Sequence, residues 1–321
     1  VGETMEKIYE EEAPGYAAEL AYHFGQAAAL SVAQEKAVRY AVLSAQVSEV
    51  CFAYEEAIRH YESAMALMDD TGQEMGQDRL VLLRGLATAQ RHVYLIAPAF
   101  RNFRRAMRLA QQREDRQQVA ELALEQAITG AIPNQIAAAT LNLGLQAVPD
   151  PDSELAGIMH VLLGSRLNGL HRRDEASEHR ELAENLAKHH QYVELELVLA
   201  QNKLAAASGV LDFQQWPALL QRLQLAEQAA GHVTGMATSP GYSGGSIGFL
   251  SLGDVADAQK ELERFLEPSR RARDSYRVVS DLTSQSAIYA SKGRWQQMSL
   301  ALKEADRWMG DEFFTPTEIA R

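Results

Sequence analysis

Cysteine is almost missing from this sequence. The 321 residues hold one, Cys51, so no internal disulfide forms and a reducing, cytoplasmic setting is expected. No catalytic histidine pattern surrounds Cys51, which therefore reads as a small buried apolar residue. Long apolar runs are missing too. No stretch reaches the roughly 18 residues that a membrane-spanning helix needs, and no basic-then-apolar secretory start is present. Positive charge is in deficit: the formal net charge is -12. So acidic a surface repels phosphate backbones and argues against direct nucleic-acid binding. There is no G-x-x-x-x-G-K-[ST] phosphate loop, no H-E-x-x-H and no second cysteine for a zinc site. No cofactor or metal is expected in this segment. An initial methionine is also lacking; the chain starts at Val1 and is expected to be a piece of something longer.

What is present is a folded composition, 46% hydrophobic and 23% charged, and a repeat. A small residue is followed four later by a large apolar one and three after that by a small one. The sharpest copies are Ala57, Tyr61, Ala64 and Ala99, Phe103, Ala106. Further anchors fall at Ala138, Ala176, Leu219, Ala258 and Met298, a period of about 40 residues. Twelve residues before each anchor the frame again selects small side chains, among them Ala45, Ala87, Gly164, Ala207, Ser246 and Ser286. It holds worst around Ala138, where Gln126 and Asn142 break it.

Spacings of three, four and seven put these residues on one helical face. Small residues let two antiparallel helices approach, and larger ones fill the groove between hairpins. Turn signals separate the helices at 209–213, 252–255 and 292–295, with Asp212 and Asp254 as expected N-caps. "YVELELVLA" (192–200) alternates like a strand, but its apolar pattern runs on to Ala207 without a turn and is assigned to helix. The expected fold is all-α: a right-handed α-solenoid of about seven hairpins plus an N-terminal helix or two.

Leu163-Gly164-x-x-Leu167 with Ala176 and Ala183, and Tyr289 followed by Ala305, resemble the tetratricopeptide repeat, with a lengthened period. Repeats of this kind are similar to the C-terminal arm of large bacterial signalling ATPases of the STAND type. Those include LuxR-type, MalT-like activators and multidomain adenylate or guanylate cyclases. The run "AAELAYHF" (17–24), "KAVRYAVLSA" (36–45) and "AYEEAIRHYESAMALM" (53–68) resembles the entry into that arm. The resemblance implies residues 1–14 as the tail of a preceding domain or linker and 15–309 as the repeat domain. It implies 310–321 as a linker or further element, and an ATPase upstream of Val1. "FTPTEIAR" (314–321) is similar to the Thr-Pro-x-Glu opening of a LuxR-type DNA-binding domain; a turn before another helix stays open as its reading.

Candidate sites follow. "GYSGG" (241–245) matches the nucleophile elbow G-x-S-x-G. Pro240 precedes it, no strand leads in, and no histidine follows Ser243, so a serine hydrolase is the remote alternative and no enzyme is expected. Gly241, Gly244, Gly245 and Gly248 instead make a helix poor in side chains. At about 0.5–1 kcal/mol per interior glycine, a hinge is expected there. Arg101, Arg104, Arg105 and Arg108 share one helix face, opposite Phe100, Phe103, Met107 and Ala110. This basic stripe is the candidate partner-binding site; a solvated face paired with neighbouring acids is the plainer reading. His171, His179, His189 and His190 are expected on polar surfaces, and 267–277 as a charged loop between hairpins. Expected partners are protein segments or other domains on the concave face, or a small-molecule inducer; the alternative to a regulatory arm is a free-standing tetratricopeptide scaffold with no ATPase.

Overall fold

A computed structural model describes residues 1–9, 13–27, 31–71, 79–129, 132–209, 215–230, 246, 249–250, 252–271 and 273–309. Two short helices, α1 (Gly2–Ile8) and α2 (Ala17–Gly25), lead in. Antiparallel hairpins follow: α3 (Ser31–Val50) with α4 (Tyr54–Thr71), α5 (Arg79–His92) with α6 (Ile96–Gln112), and α7 (Arg116–Ala127) with α8 (Asn134–Ala147). The next are α9 (Glu154–Gly169) with α10 (Arg173–His190) and α11 (Val193–Gly209) with α12 (Trp216–Ala230). In the sixth, Ser246, Phe249 and Leu250 are helical ahead of α13 (Val255–Arg271). The seventh pairs α14 (Ser275–Ser291) with α15 (Trp295–Trp308). The described residues contain no strand. The molecule is an all-α solenoid, and "YVELELVLA" lies within α11 apart from its first residue.

The repeat frame is visible as burial. Ala57, Ala64, Ala99, Ala106, Ala176, Ala183 and Ala258 are all fully buried, and so are Ala45, Ala87 and Ser246 in the partner helices. These hairpins zip along a seam of small side chains, and their larger neighbours form cores that each span more than one hairpin, one from α3 to α7 and another from α7 to α11.

A second regularity lies in the turns. Five residues before the anchor, Phe52, Tyr94, His171, Gly253 and Gly293 all take left-handed backbone, with φ of 57, 64, 61, 82 and 68°. The third hairpin cannot use this turn, because Pro133 holds φ at -55°. There the frame slips by one. Ala137, Leu141 and Gly144 are buried while Asn142 is exposed, so the third anchor is Ala137 and not Ala138.

Asp254 caps α13 as expected, accepting a hydrogen bond from the Asp257 amide at 3.1 Å; Asp212 lies outside the described residues. Two expectations are corrected. Cys51 is exposed, because α3 ends at Val50 and leaves it in the turn. The stretch 267–277 is mostly helix: α13 carries Pro268 inside it and ends at Arg271, and Asp274 already caps α14. No helix among the described residues is long and apolar enough to cross a membrane.

The solenoid also touches itself. Helix α5 of the second hairpin meets α14 of the seventh.

Candidate functional site

Helix α6 presents the basic stripe. Phe100, Phe103, Met107 and Ala110 are buried on one side; Arg101, Arg105 and Arg108 are exposed and Arg104 half-buried on the other. The Arg104 guanidinium lies 5.8 Å from the centre of the Phe100 ring, a cation–π contact. Arg105 donates to Asn102 Oδ1 at 3.4 Å. Among the described residues none of Arg104, Arg105 and Arg108 reaches a carboxylate. Ser243 and the four candidate hinge glycines lie outside the described residues.

Sequence reasoning missed a groove between the fourth and fifth hairpins. Its volume is about 570 Å³, inside the range of small-ligand clefts. Helix α9 contributes Asn168, α10 contributes Arg173, Arg180 and Glu184, α11 contributes Asn202 and Lys203, and α12 contributes Arg222. Four cations thus face one carboxylate, in a chain of net charge -12.

The repeat explains why the groove is there. Four residues after the anchor, successive hairpins carry Tyr61, Phe103, Leu141, Arg180, Leu223, Leu262 and Leu302. Tyr61, Phe103, Leu141, Leu223 and Leu262 are buried at this slot, while Leu302 of the last hairpin is exposed. Tyr61, for example, packs so closely on α5 that a Cβ at Gly85 would fall 2.4 Å from its ring. In the fourth hairpin the slot holds an arginine, and the space stays open and polar.

Two of the groove's cations are paired with carboxylates. Lys203 Nζ lies 2.7 Å from Glu184 Oε1. Burial works against the Glu184 carboxylate, but the hydrogen bond from Lys203 and the charges of Lys203, Arg222 and Lys188 outweigh it and lower its pKa. Arg222 donates from Nε and Nη2 to Glu196 at 2.6 and 2.8 Å. Arg173 and Arg180 have no acid partner among the described residues. The carboxamides of Asn168 and Asn202 have no hydrogen-bond partner there either, so the groove keeps free donors and acceptors.

Histidines gather nearby. His179 is half-buried rather than on the surface, its Nδ1 2.8 Å from Nδ1 of His160 across α9 and α10. Burial, then the neighbouring His179, pushes His160 down to about 4. His171, His189 and His190 are exposed. No group of three or more His, Cys, Asp or Glu among the described residues is arranged to hold a metal ion.

No protein-family model matches the chain, and no curated protein matches it. Solved structures do. The chain is similar to a Rap protein complexed with competence and sporulation factor, with a TM-score of 0.54 and 11% identity over 87% of this chain and 76% of that one. It is also similar to the apo form of the quorum sensor NprR from B. thuringiensis, with a TM-score of 0.54 and 10% identity over 96% of this chain and 86% of that one. At such identities the likeness is one of fold: a helical-repeat solenoid of tetratricopeptide type.

Proposed function

We propose that the chain is a non-catalytic interaction and sensor scaffold, the regulatory arm of a bacterial ATP-dependent regulator whose ATPase precedes Val1. On this reading 1–14 end the preceding domain or form a linker, 15–309 are the arm, and 310–321 lead onward. The observation that carries the scaffold reading is a run of helical hairpins on an acidic chain, with Arg104, Arg105, Arg108, Arg173 and Arg180 reaching no carboxylate among the described residues. Such surfaces are suited to acidic protein segments or to another domain of the same protein. Occupancy biases the ATPase only if the bound segment prefers one of its states. Two experiments test the proposal. A phosphate-loop motif in the several hundred codons before Val1 supports the arm; a reading frame that opens without one rules it out. Charge reversal at Arg104 and Arg105 is expected to abolish partner binding, and unchanged binding removes the stripe from the site.

A second reading is a free-standing sensor of a signalling factor. It is favoured by the fold likeness to the Rap protein and NprR, which extends over most of this chain. An upstream frame without an ATPase, together with saturable ligand binding by the purified chain, selects it.

A further inference from the structure

We infer that His160 and His179 form a two-coordinate site for a soft monovalent metal ion, cuprous copper, held in line between their Nδ1 atoms across the fourth hairpin. The inference goes beyond the scaffold reading and does not depend on it.

The repeat brings the two rings together. Gly164 of α9 lies so close to α10 that a Cβ there would fall 3.0 Å from the Ala176 carbonyl oxygen. His160 stands one turn before Gly164 and His179 one turn after Ala176, so antiparallel packing sets them opposite each other. The same two positions hold Ala41 and His60 in the first hairpin and Leu83 and Asn102 in the second; both are histidine in the fourth alone.

The geometry selects the ion. The Nδ1 atoms are 2.8 Å apart, the ring centroids 5.0 Å apart and the ring planes 28° from parallel. The nitrogen separation plus two ring radii nearly equals the centroid separation, so the rings sit edge to edge and their nitrogens point at each other along one line. One proton holds that line, on the Nδ1 of one ring. An imidazole–metal bond is about 2.0–2.1 Å long, so an ion in the proton's place needs the nitrogens roughly 4 Å apart, an opening of about 1 Å. Both rings are half-buried, and rotation of His179 toward solvent provides it. The displaced proton moves to Nε2 of the same ring, so both imidazoles stay neutral and no net proton is released. Burial disfavours the charged form of both rings and, with the neighbouring His179, pushes His160 down to about 4; the neutral form is the one that binds metal.

Divalent zinc is a poor match. It takes four ligands at tetrahedral angles, and no third His, Cys, Asp or Glu among the described residues joins the pair. Glu175, one turn before His179, is taken by Arg172. The Met159 thioether faces Gly144 of α8. Imidazole suits copper, and the closed-shell cuprous ion is satisfied by two donors in line.

The test uses the whole chain carrying Cys51→Ser, which removes the exposed thiol that would compete for the ion. Cuprous ion is supplied anaerobically from a bicinchoninate buffer. One equivalent is expected to bind, with the X-ray absorption edge of a linear centre and a first shell of two nitrogens. His160→Asn and His179→Asn keep a hydrogen-bonding group but lose the ligand. Each should weaken binding by more than the roughly tenfold that loss of a supporting group costs, while His171→Gln in the turn of the same hairpin leaves it unchanged. Far-UV circular dichroism checks the fold, and either asparagine variant that folds as the parent does suffices. No bound equivalent, full affinity in a folded asparagine variant, or a shell of three or four ligands would each overturn the inference. Zinc bound as tightly, with the same dependence on both histidines, would also overturn it by making the pair a general chelate for divalent ions.

Discussion

Arg180 shows how one side chain separates stability from function. If the slot it fills were purely structural, arginine would be a poor occupant, and reverting it to the repeat's preference should strengthen the fold. Burying a leucine side chain contributes about 1.5–3 kcal/mol in full. This slot is only half-buried, so Arg180→Leu is expected to stabilise the chain by about 1 kcal/mol, read as a higher midpoint in urea. A lower midpoint would mean that the guanidinium supports the hairpin itself. The converse case is Gly85. A Cβ there meets the Tyr61 ring at 2.4 Å, and Tyr61 is pinned by its own hydrogen bond to Glu49 at 3.1 Å. Gly85→Ala should therefore lower stability by about 1–3 kcal/mol, the range for overpacked cores. The basic stripe was legible in the sequence because a single helix carries it. Arg180 was not legible in the same way, because it sits alone on a helix rich in other charges. The frame is carried by its small residues, and a charged side chain in its apolar slot leaves that periodicity intact.

At the scale of the element, the hairpin turn and the helix seam follow different rules. The seam was legible because burial selects alanine at fixed spacing, as at Ala57, Ala64, Ala176 and Ala183. The turn was only half legible. Gly253 and Gly293 announce left-handed backbone, but Phe52, Tyr94 and His171 adopt the same conformation with no glycine to signal it. A non-glycine residue there carries backbone strain of order 1 kcal/mol. His171 is exposed, so His171→Gly is expected to stabilise the fourth hairpin by roughly 0.5–1 kcal/mol, and a loss of thermal stability would count against the shared turn. The same hairpin holds the His160–His179 pair, whose pKa values are both lowered below 6.5, first by burial. The folded state then binds fewer protons than the unfolded state, so stability is complete above about 6.5 and falls as pH drops toward about 4. Glu175 and Glu178 act against this by drawing His179 upward. Melting temperatures between pH 7.5 and 5 should decline in the parent and decline less in His160→Asn. Equal slopes would place the acid sensitivity elsewhere.

The whole molecule departs from the ideal of a solenoid, in which each repeat meets only its neighbours. The second and seventh hairpins are brought together by the superhelix, and the residues at their contact are not ones that chance on an exposed surface supplies. The His92 ring at the end of α5 stacks on Tyr54 of α4 with centroids 4.3 Å apart. Its Nδ1 lies 3.5 Å from Asp274 Oδ2, near enough for an ion pair but longer than a well-formed hydrogen bond. Asp274 is 8% exposed and also faces Arg277 Nε at 3.3 Å. Burial works against its charge, yet His92, Arg277 and the Arg277 amide together hold its pKa below the ordinary value. Buried charges of this kind add little net stability but make an alternative arrangement unfavourable. They are expected to act as a clasp that fixes the curvature of the arm. Asp274 also caps α14, so the informative variant is Asp274→Ser, which can still cap the helix while withdrawing the carboxylate from His92. Paired with His92→Ala, it should raise the radius of gyration in solution scattering. It should also lower amide protection at the end of α5 and the start of α14 together, while the α9–α10 hairpin keeps its protection. A double-mutant cycle should return a coupling of about 0.5–3 kcal/mol between residues of the second and seventh hairpins. Additive effects with an unchanged radius would mean that the two ends merely lie side by side, and that the curvature is set by the nearest-neighbour seams alone.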